Sequence, residues 1–252
     1  MEAAYKWQQA QTLRTSLALG HAIALLLVLL PPLLYSLFLG LRIDVAYFVG
    51  RSDLTALFVL PLTFLTPLLY VRGRRKLYVG MIMATVWVPL AVYVVLSLRH
   101  MWQASSTIEA IEDRDCYVSD GKRQLARAYE VAQELYTSCT TRPGMELAPV
   151  SDCPGYFALA GSWGREFIYL QALEMRFPCA GICRHGRRLW ESSGGVAPAC
   201  GPFAAQWLWS AKMQATMVLS YSVLAFLVSF PAKKLVVEPL VEQINAPLLF
   251  EG

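Results

Sequence analysis

The chain alternates between long stretches without a charged side chain and segments in which charges are frequent. Four of the uncharged stretches contain 27, 18, 22 and 20 residues, and most of those residues are apolar. Because an α-helix rises about 1.5 Å per residue, about 20 apolar residues cross the roughly 30 Å hydrocarbon core of a bilayer. The pattern therefore predicts four transmembrane helices, at residues 16–41, 54–71, 77–98 and 212–232.

The first two stretches each allow an alternative. The first could be a cleavable secretory signal, but its apolar core is longer than that of a signal and no small-residue cleavage site closes it. We therefore expect a retained signal-anchor. The second stretch is the shortest and contains Pro61 and Pro67, so a tilted or re-entrant segment is the alternative to a spanning helix.

The composition also indicates a membrane protein. Hydrophobic residues make up 56% of the 252-residue chain and charged residues 16%, whereas soluble domains carry about 25% charged residues. The mean hydropathy is +0.43. The formal net charge of +4 is too small to indicate a nucleic-acid partner by itself.

The distribution of Lys and Arg among the short segments predicts the orientation. Basic residues accumulate in the N-terminal arm (residues 1–15), in the tail (residues 233–252) and in the loop between the second and third predicted helices. The loop at residues 42–53 carries equal numbers of acids and bases. Because short basic segments stay on the cytosolic side, we expect both termini in the cytosol. The basic residues of the inner loop are Arg72, Arg74, Arg75 and Lys76.

Residues 99–211 then form one large extracytosolic loop between predicted helices three and four. Its charges nearly balance, and it holds every cysteine of the chain. An even number of cysteines in a non-cytosolic loop is typical of a disulfide-held domain in an oxidising compartment. We predict three disulfides, although sequence alone leaves fifteen pairings open. The six residues are Cys116, Cys139, Cys153, Cys179, Cys183 and Cys200.

The stretch "FPCAGICRHGRRLW" at residues 177–190 raises two alternatives to disulfides. Cys179, Cys183 and His185 could bind a metal, but a zinc site needs more ligands at close spacing than this stretch offers. Cys179 and Cys183 could form a redox dithiol, although such centres usually separate their cysteines by two residues. We expect each to pair with a distant cysteine. No metal or cofactor is predicted, while the spans are compatible with a bound lipid or sterol.

Apolar spacing predicts that the large loop is mostly helical. The third spanning helix continues toward Ile111, and residues 201–212 run into the fourth. Ser119 or Asp120 can cap a helix that ends near residue 139 and carries an apolar stripe. A second stripe consists of Trp163, Phe167, Leu170, Leu173 or Glu174, and Phe177.

Two features concern the spans and the tail. His21 is the one ionisable side chain within the predicted spans, and we expect it to form a hydrogen bond to a neighbouring helix rather than to mark an ion path. The tail is unusually apolar for a free segment. We therefore expect it to dock either on a partner or on the helix bundle of its own chain.

Aromatic residues flank the predicted spans, as is usual at membrane–water interfaces. We predict anchoring roles for them and no catalytic role. No nucleophile–base pair, phosphate-binding loop or carboxylate pair in the sequence indicates an enzyme. The outer anchors are Trp102, Trp207 and Trp209, and the inner anchors are Tyr70 and Tyr78.

The predicted fold is all-α, with four transmembrane helices and a disulfide-rich, mostly helical large outer loop between helices 3 and 4. This layout resembles the tetraspanins over nearly the whole chain. The family's Cys-Cys-Gly motif follows the second loop helix, where this chain reads "SCTTRPG" with Cys139 alone. "FPCAGIC" is a loose counterpart of a later family motif, and Cys200 in "PACGPFAAQWLW" matches the last loop cysteine. The resemblance implies a Cys139–Cys200 disulfide.

The resemblance also implies a non-enzymatic organiser or scaffold. Such a protein binds other integral membrane proteins and lipids through its spans and its large outer loop, within a larger assembly and without nucleic acid. Family members commonly carry palmitoylated cytosolic cysteines and loop glycans, and this chain has sites for neither. That difference favours the alternative, a dedicated structural subunit of one large photosynthetic, respiratory or ciliary membrane complex. A membrane thiol oxidoreductase that uses Cys179 and Cys183 is the third interpretation.

Overall fold

The computed structural model describes residues 2–48, 78–113, 115–141, 148–191 and 195–246, and most of them are α-helical. The helices are α1 (Glu2–Leu41), α2 (Ile43–Phe48), α3 (Val79–Glu112), α4 (Asp120–Thr140), α5 (Tyr156–Arg176), α6 (Gly201–Ala232) and α7 (Glu238–Asn245). Strands β1 (Gly186–Arg187) and β2 (Val196–Ala197) form an antiparallel pair. A 3-10 turn at Val150–Asp152 precedes α5, and a π-helical turn at Lys233–Val237 joins α6 to α7.

Three helices in the described part of the chain are long and apolar enough to cross a membrane. They are Gln11–Leu41, Val79–Glu112 and Gly201–Asn245. This result confirms the predicted membrane character of the chain. The predicted second span at residues 54–71 lies outside the described residues, as do Tyr70 and the basic loop at residues 72–76.

The chain divides into two compact units. The helical unit takes its described residues from 1–40, 52–100 and 214–252, and the disulfide unit takes them from 41–51 and 101–213. Helices α3 and α6 each contribute residues to both units, because α3 ends at Glu112 and α6 begins at Gly201. The predicted extension of α3 to about Ile111, and the predicted start of α6 near residue 201, are therefore confirmed.

Helices α1, α3 and α6 pack together in the helical unit. Leu25 of α1, Leu90 of α3 and Val218 of α6 are buried in one apolar cluster. His21 Nε2 lies 2.8 Å from Thr85 Oγ1 of α3. The predicted hydrogen bond from this histidine to a neighbouring helix is thus confirmed.

The tail helix α7 packs on the helical unit of its own chain. Val241 and Ile244 are buried together with Leu17 of α1 and Ile82 of α3. Of the two docking sites expected for the tail, the structure therefore shows the one on its own chain. The spacing of three residues between Val241 and Ile244 places both side chains on the same face of α7.

The core of the disulfide unit lies between α4 and α5. The predicted apolar stripe of α4 is buried, and Ser119 caps the helix because its Oγ accepts a hydrogen bond from Lys122 N at 3.4 Å. Helix α5 begins at Tyr156, seven residues before the predicted stripe, and it kinks at Trp163, where φ is −118° and ψ is 20°. The fully buried core side chains include Leu125, Phe167, Leu170, Leu173, Leu189 and Leu208.

A buried lysine connects the end of α3 to the start of α4. Lys122 Nζ donates hydrogen bonds to the backbone oxygens of Asp113 and Asp115. Burial lowers the pKa of this ammonium group, while the two aspartates act in the opposite direction. The positive charge is favourable beside the carbonyl oxygens that follow the C-terminus of a helix. Lys122 therefore fixes the turn between the two helices.

Candidate functional site

All six cysteines form disulfides, and all of them lie in the disulfide unit. Cys116 pairs with Cys183, Cys139 with Cys153, and Cys179 with Cys200, at Cα–Cα distances of 5.8, 5.7 and 5.0 Å. The prediction of three disulfides is confirmed. The Cys139–Cys200 pair that the family resemblance implied is wrong. Cys179 and Cys183 each pair with a distant cysteine, as expected.

Backbone hydrogen bonds explain why Cys200 pairs with Cys179. The segment after α5 and the segment before α6 run side by side over three bonds. Ala180 N donates to Pro198 O at 2.8 Å, Cys200 N to Gly181 O at 2.9 Å, and Gly201 N to Ile182 O at 3.0 Å. These backbone hydrogen bonds hold Cys179 and Cys200 side by side. Cys200 is therefore not available to Cys139.

Cys139 has a nearer partner. It lies in the last turn of α4, and Cys153 follows the 3-10 turn that precedes α5. Because α4 and α5 pack against each other, the connection between them brings these two cysteines close together, with a sequence separation of 14. The disulfide therefore closes the end of the α4–α5 pair.

Tyr129 of α4 holds the β1–β2 hairpin against the core. Its hydroxyl donates a hydrogen bond to Arg187 O at 2.7 Å. Its ring lies against Gly181 and Gly186, and a Cβ atom at either position would come too close to it. Gly181 also has φ of +58°, which glycine adopts without strain. Gly181 and Gly186 therefore allow the start of the hairpin and the segment before it to approach α4.

Glu174 is a fully buried acidic side chain at a position where the predicted apolar stripe could run through either Leu173 or Glu174. Its Oε2 accepts hydrogen bonds from Leu189 N at 2.8 Å and from Trp190 N at 3.1 Å. Arg188 also donates a hydrogen bond to the backbone oxygen of Glu174. Burial raises the pKa of Glu174 to about 7, although the backbone N–H donors and Arg188 act to lower it. This side chain pins residues 188–190 to α5.

The short segment at residues 41–48 is attached to the disulfide unit by an ion pair. Asp44 is fully buried and accepts hydrogen bonds from Arg42 at 3.1 and 3.0 Å. Arg42 also donates to Trp207 O at 2.6 Å and to Ser210 Oγ at 3.1 Å. The arginine thus joins the start of α2 to α6. In the sequence Arg42 and Asp44 contribute only to the balance of charge in residues 42–53.

Aromatic rings hold α2 on α5. The ring of Tyr47 stacks on that of Tyr169 with a centroid distance of 4.7 Å, and Phe48 contacts both rings edge-on. Arg165 lies 5.3 Å from the centre of the Tyr47 ring and donates a hydrogen bond to Tyr47 O at 3.0 Å. Tyr47 Oη donates to Glu166 Oε1 at 3.4 Å. Burial raises the pKa of both tyrosines, so both stay neutral near pH 7.

One face of α5 exposes apolar side chains. Phe157 is 85% exposed, Ile168 58% and Met175 71%. Ile168 and Met175 are seven residues apart, so they lie on one face of the helix beyond the Trp163 kink. A Cβ atom at Gly161 or Gly164 would have no neighbour within 4 Å. No described part of the chain covers α5 at these positions.

The predicted anchors differ in their surroundings. Trp102, Trp209 and Tyr78 are exposed. Trp207 is half-buried in the disulfide unit, where its ring contacts Phe177 edge-on and lies 5.0 Å from the guanidinium of Arg176. The structure therefore gives Trp207 a packing role, and anchoring at the membrane surface stays a prediction for all five residues.

A metal site at Cys179, Cys183 and His185 is the alternative to disulfides at residues 177–190. Within the described residues, no group of three His, Cys, Asp or Glu side chains is arranged to hold a metal ion. Cys179 and Cys183, two of the ligands considered, belong to different disulfides.

Comparison of the chain with models of protein families, with curated proteins and with solved structures finds no match.

Proposed function

We propose that this chain is a non-enzymatic, tetraspanin-like membrane scaffold. In this proposal four helices span the membrane, including one at residues 54–71, both termini are cytosolic, and the disulfide unit lies in an oxidising extracytosolic compartment. The three long apolar helices of the described residues support the membrane location. The three disulfides support the oxidising compartment, because such bonds persist where thiols are not kept reduced.

The exposed apolar face of α5 is the observation that carries the proposal. Ordinary exposed side chains are mostly polar, and contiguous apolar surface commonly marks a protein or membrane contact. Phe157, Ile168 and Met175 are three large apolar side chains on one helix, each more than half exposed. The small residues Gly161 and Gly164 add no bulk between them, so a partner helix can approach the backbone closely.

The disulfides make this face a preformed surface. Cys153 lies just before α5 and Cys179 lies just after it, and each is bonded to another segment of the unit. Both ends of the helix are therefore fixed before a partner arrives. Binding to a fixed surface loses less conformational entropy than binding to a mobile one.

The experiment is gentle-detergent extraction of the full chain, followed by native sizing and quantitative mass spectrometry of the proteins that co-purify. The variant Ile168→Ser/Met175→Ser removes the part of the apolar face that lies beyond the Trp163 kink. Val196→Ser is the matched control, because Val196 is 84% exposed but belongs to the hairpin. We expect the double variant to lose partners that the control retains.

The stoichiometry then distinguishes two kinds of scaffold. Many partners at low and variable ratios indicate an organiser of the tetraspanin kind, whereas one set of partners at a constant ratio indicates a dedicated structural subunit. Retention of every partner by the double variant would show that Ile168 and Met175 do not form the docking surface.

A further inference from the structure

A cleft of about 400 Å³ opens on the disulfide unit, apart from the exposed face formed by Ile168 and Met175. The aromatic residues of α2 form one wall, a face of α3 forms another, and the first turn of α4 and Arg165 of α5 complete it. Ligand-binding clefts typically enclose about 300–1,000 Å³. The cleft is therefore large enough for a small polar group such as a lipid headgroup.

The charge of the cleft favours an anion. Arg165 is the one charged side chain among the described residues that line it. One of its nitrogens donates to Tyr47 O, which leaves other guanidinium N–H groups for a ligand. The nearest acidic residue of the α4 N-terminus, Asp120, is paired with Arg123. The N-terminal turn of α4, with Ser119 and Gly121 in the lining, contributes a partial positive charge.

The neutral groups of the lining can donate further hydrogen bonds. Among the described residues, the hydroxyl of Thr107 and the amide of Gln124 make no hydrogen bond, and both line the cleft. The hydroxyl of Ser106, by contrast, already donates to Gln103 O at 3.0 Å. An anion bound by Arg165 therefore finds two uncommitted donor groups in the same cleft.

Two buried polar atoms next to the lining lack a partner. Gln103 precedes Ser106 and Thr107 on the same face of α3, and its Oε1 is buried without a hydrogen bond in the described part of the chain. The hydroxyl of Tyr169, which lies beneath the Tyr47 ring, is also buried and has no hydrogen-bond partner among the described residues. Buried polar atoms normally have partners. Neither residue lines the cleft, so these atoms are unsatisfied polar groups of the neighbouring core and not part of the binding site.

The aromatic wall is held rigidly before a ligand binds. Tyr47 is fixed by its stacking on Tyr169, by edge contact with Phe48 and by the guanidinium of Arg165. A wall that is already ordered does not lose side-chain entropy on binding. Its ring surfaces suit the apolar part of an amphiphilic ligand.

We propose that this cleft binds a phosphate-bearing polar group. Arg165 supplies the charge-assisted hydrogen bonds, because guanidinium groups match phosphate oxygens well. Thr107 and Gln124 bind further oxygens, and Tyr47 and Phe48 contact the adjoining carbon chain. The site goes beyond partner binding, since none of these five residues belongs to the exposed apolar face of α5.

An anionic phospholipid headgroup is one source of this chemistry. Ser106 and Thr107 follow Trp102, the predicted outer anchor, by about one turn of α3. The lipid source thus rests on the proposed membrane arrangement. A soluble phosphate ester of the extracytosolic compartment is the other source, and it does not depend on that arrangement.

The experiment uses the full chain in nanodiscs made of phosphatidylcholine with or without phosphatidylglycerol, and separately in detergent with inorganic phosphate. Native mass spectrometry counts retained lipid, and hydrogen exchange reports on residues 106–110 and 119–124. Arg165→Gln removes the charge. Thr107→Val removes one hydroxyl while it keeps the shape, and Arg184→Gln removes an exposed arginine outside the lining as the control.

Selective retention of phosphatidylglycerol, weakened about tenfold or more by Arg165→Gln and less by Thr107→Val, supports the lipid source. Protection of the same segments by inorganic phosphate without a lipid preference supports the soluble source. Both results require wild-type behaviour of Arg184→Gln. Equal retention of both lipids with no protection by phosphate, or binding that is unchanged in Arg165→Gln and Thr107→Val, would overturn the proposal. The scaffold function is tested separately, by the proteins that co-purify with Ile168→Ser/Met175→Ser. Failure of the phosphate site can therefore be distinguished from failure of the proposed scaffold function.

Discussion

Glu174 makes the stability of the disulfide unit depend on pH. Burial raises its pKa from 4.5 to about 7 in the folded chain. Because the folded pKa is raised for a carboxyl group, folding favours the protonated form. The resulting stability is fully present below pH 4.5, declines as the pH rises toward 7, and is absent above that value.

The magnitude follows from the shift. One pKa unit corresponds to about 1.4 kcal/mol, so the change from 4.5 to about 7 amounts to about 3 kcal/mol of unfolding free energy. For a unit of this size the corresponding change in Tm is on the order of 10 °C. Glu174→Gln stays neutral at every pH and keeps a carbonyl oxygen for Leu189 N and Trp190 N. We therefore expect the variant to match wild type at pH 5 and to exceed it at pH 8.

The assay is thermal unfolding of the full chain in detergent with its disulfides intact, followed by near-ultraviolet circular dichroism at pH 5, 6, 7 and 8. Trp190 lies beside Glu174, so aromatic signals report on this region. Glu191→Gln is the matched control, because Glu191 pairs with the same Arg188 but is partly exposed. The control should keep the pH dependence of wild type.

Two results would refute this reasoning. The first is a wild-type Tm that stays constant or increases between pH 5 and pH 8. The second is a pH dependence of Glu174→Gln equal to that of wild type, which would assign the titration to another group. A uniform loss of stability in Glu174→Gln would instead show that the amide does not replace the carboxyl group as the acceptor for the two backbone N–H groups.

Three further predictions concern the disulfides, the hairpin and the tail. Mass mapping of the non-reduced chain should recover peptides that join Cys139 to Cys153 and Cys179 to Cys200, and a Cys139–Cys200 peptide would contradict the structure. Gly186→Ala should destabilise the unit by about 1–3 kcal/mol because its methyl group meets the Tyr129 hydroxyl. Adding Tyr129→Phe should recover part of that loss in thermal melts, and strictly additive losses would rule out the clash. Ile244→Asp should expose the tail to limited proteolysis while Glu242→Gln, at an exposed neighbour, should not; equal cleavage would argue against packing of α7.

The three long apolar helices and α4 could be predicted because their signals are local. Uncharged stretches of sufficient length identify α1, α3 and α6, and the serine before the α4 stripe identifies its first turn. The early start of α5 at Tyr156 was missed because Gly161 and Gly164 weaken the helical pattern. The apolar composition of the tail predicted that it docks on another surface. Composition alone could not show whether that surface belongs to a partner or to the same chain.

The disulfide pairings could not be predicted because they depend on tertiary packing. The pairs have sequence separations of 67, 14 and 21, so proximity along the chain does not explain them all. Cys116 reaches Cys183 across the unit, whereas Cys179 meets Cys200 through paired backbone segments. A family resemblance supplies a pairing only if these long-range contacts are shared.

Buried polar residues were missed for a related reason. Glu174 and Lys122 resemble solvent-facing residues in the sequence, but each is buried where backbone groups of another segment satisfy it: earlier residues for Lys122 and later ones for Glu174. For Glu174 the partners are 15 and 16 residues further along the chain. A charged residue at the border of an apolar stripe is the one local signal available, and it does not identify the partner.

The buried ion pair of Arg42 and Asp44 shows why residues 41–48 belong with the disulfide unit. A fully buried carboxylate is costly unless it is paired, and the loss of one partner from such a pair typically costs about 3–5 kcal/mol. Arg42 satisfies Asp44 and also binds Trp207 O. The pair therefore fixes α2, which carries Tyr47 and Phe48. It follows that a group outside the cleft determines where the aromatic wall of the proposed phosphate site stands.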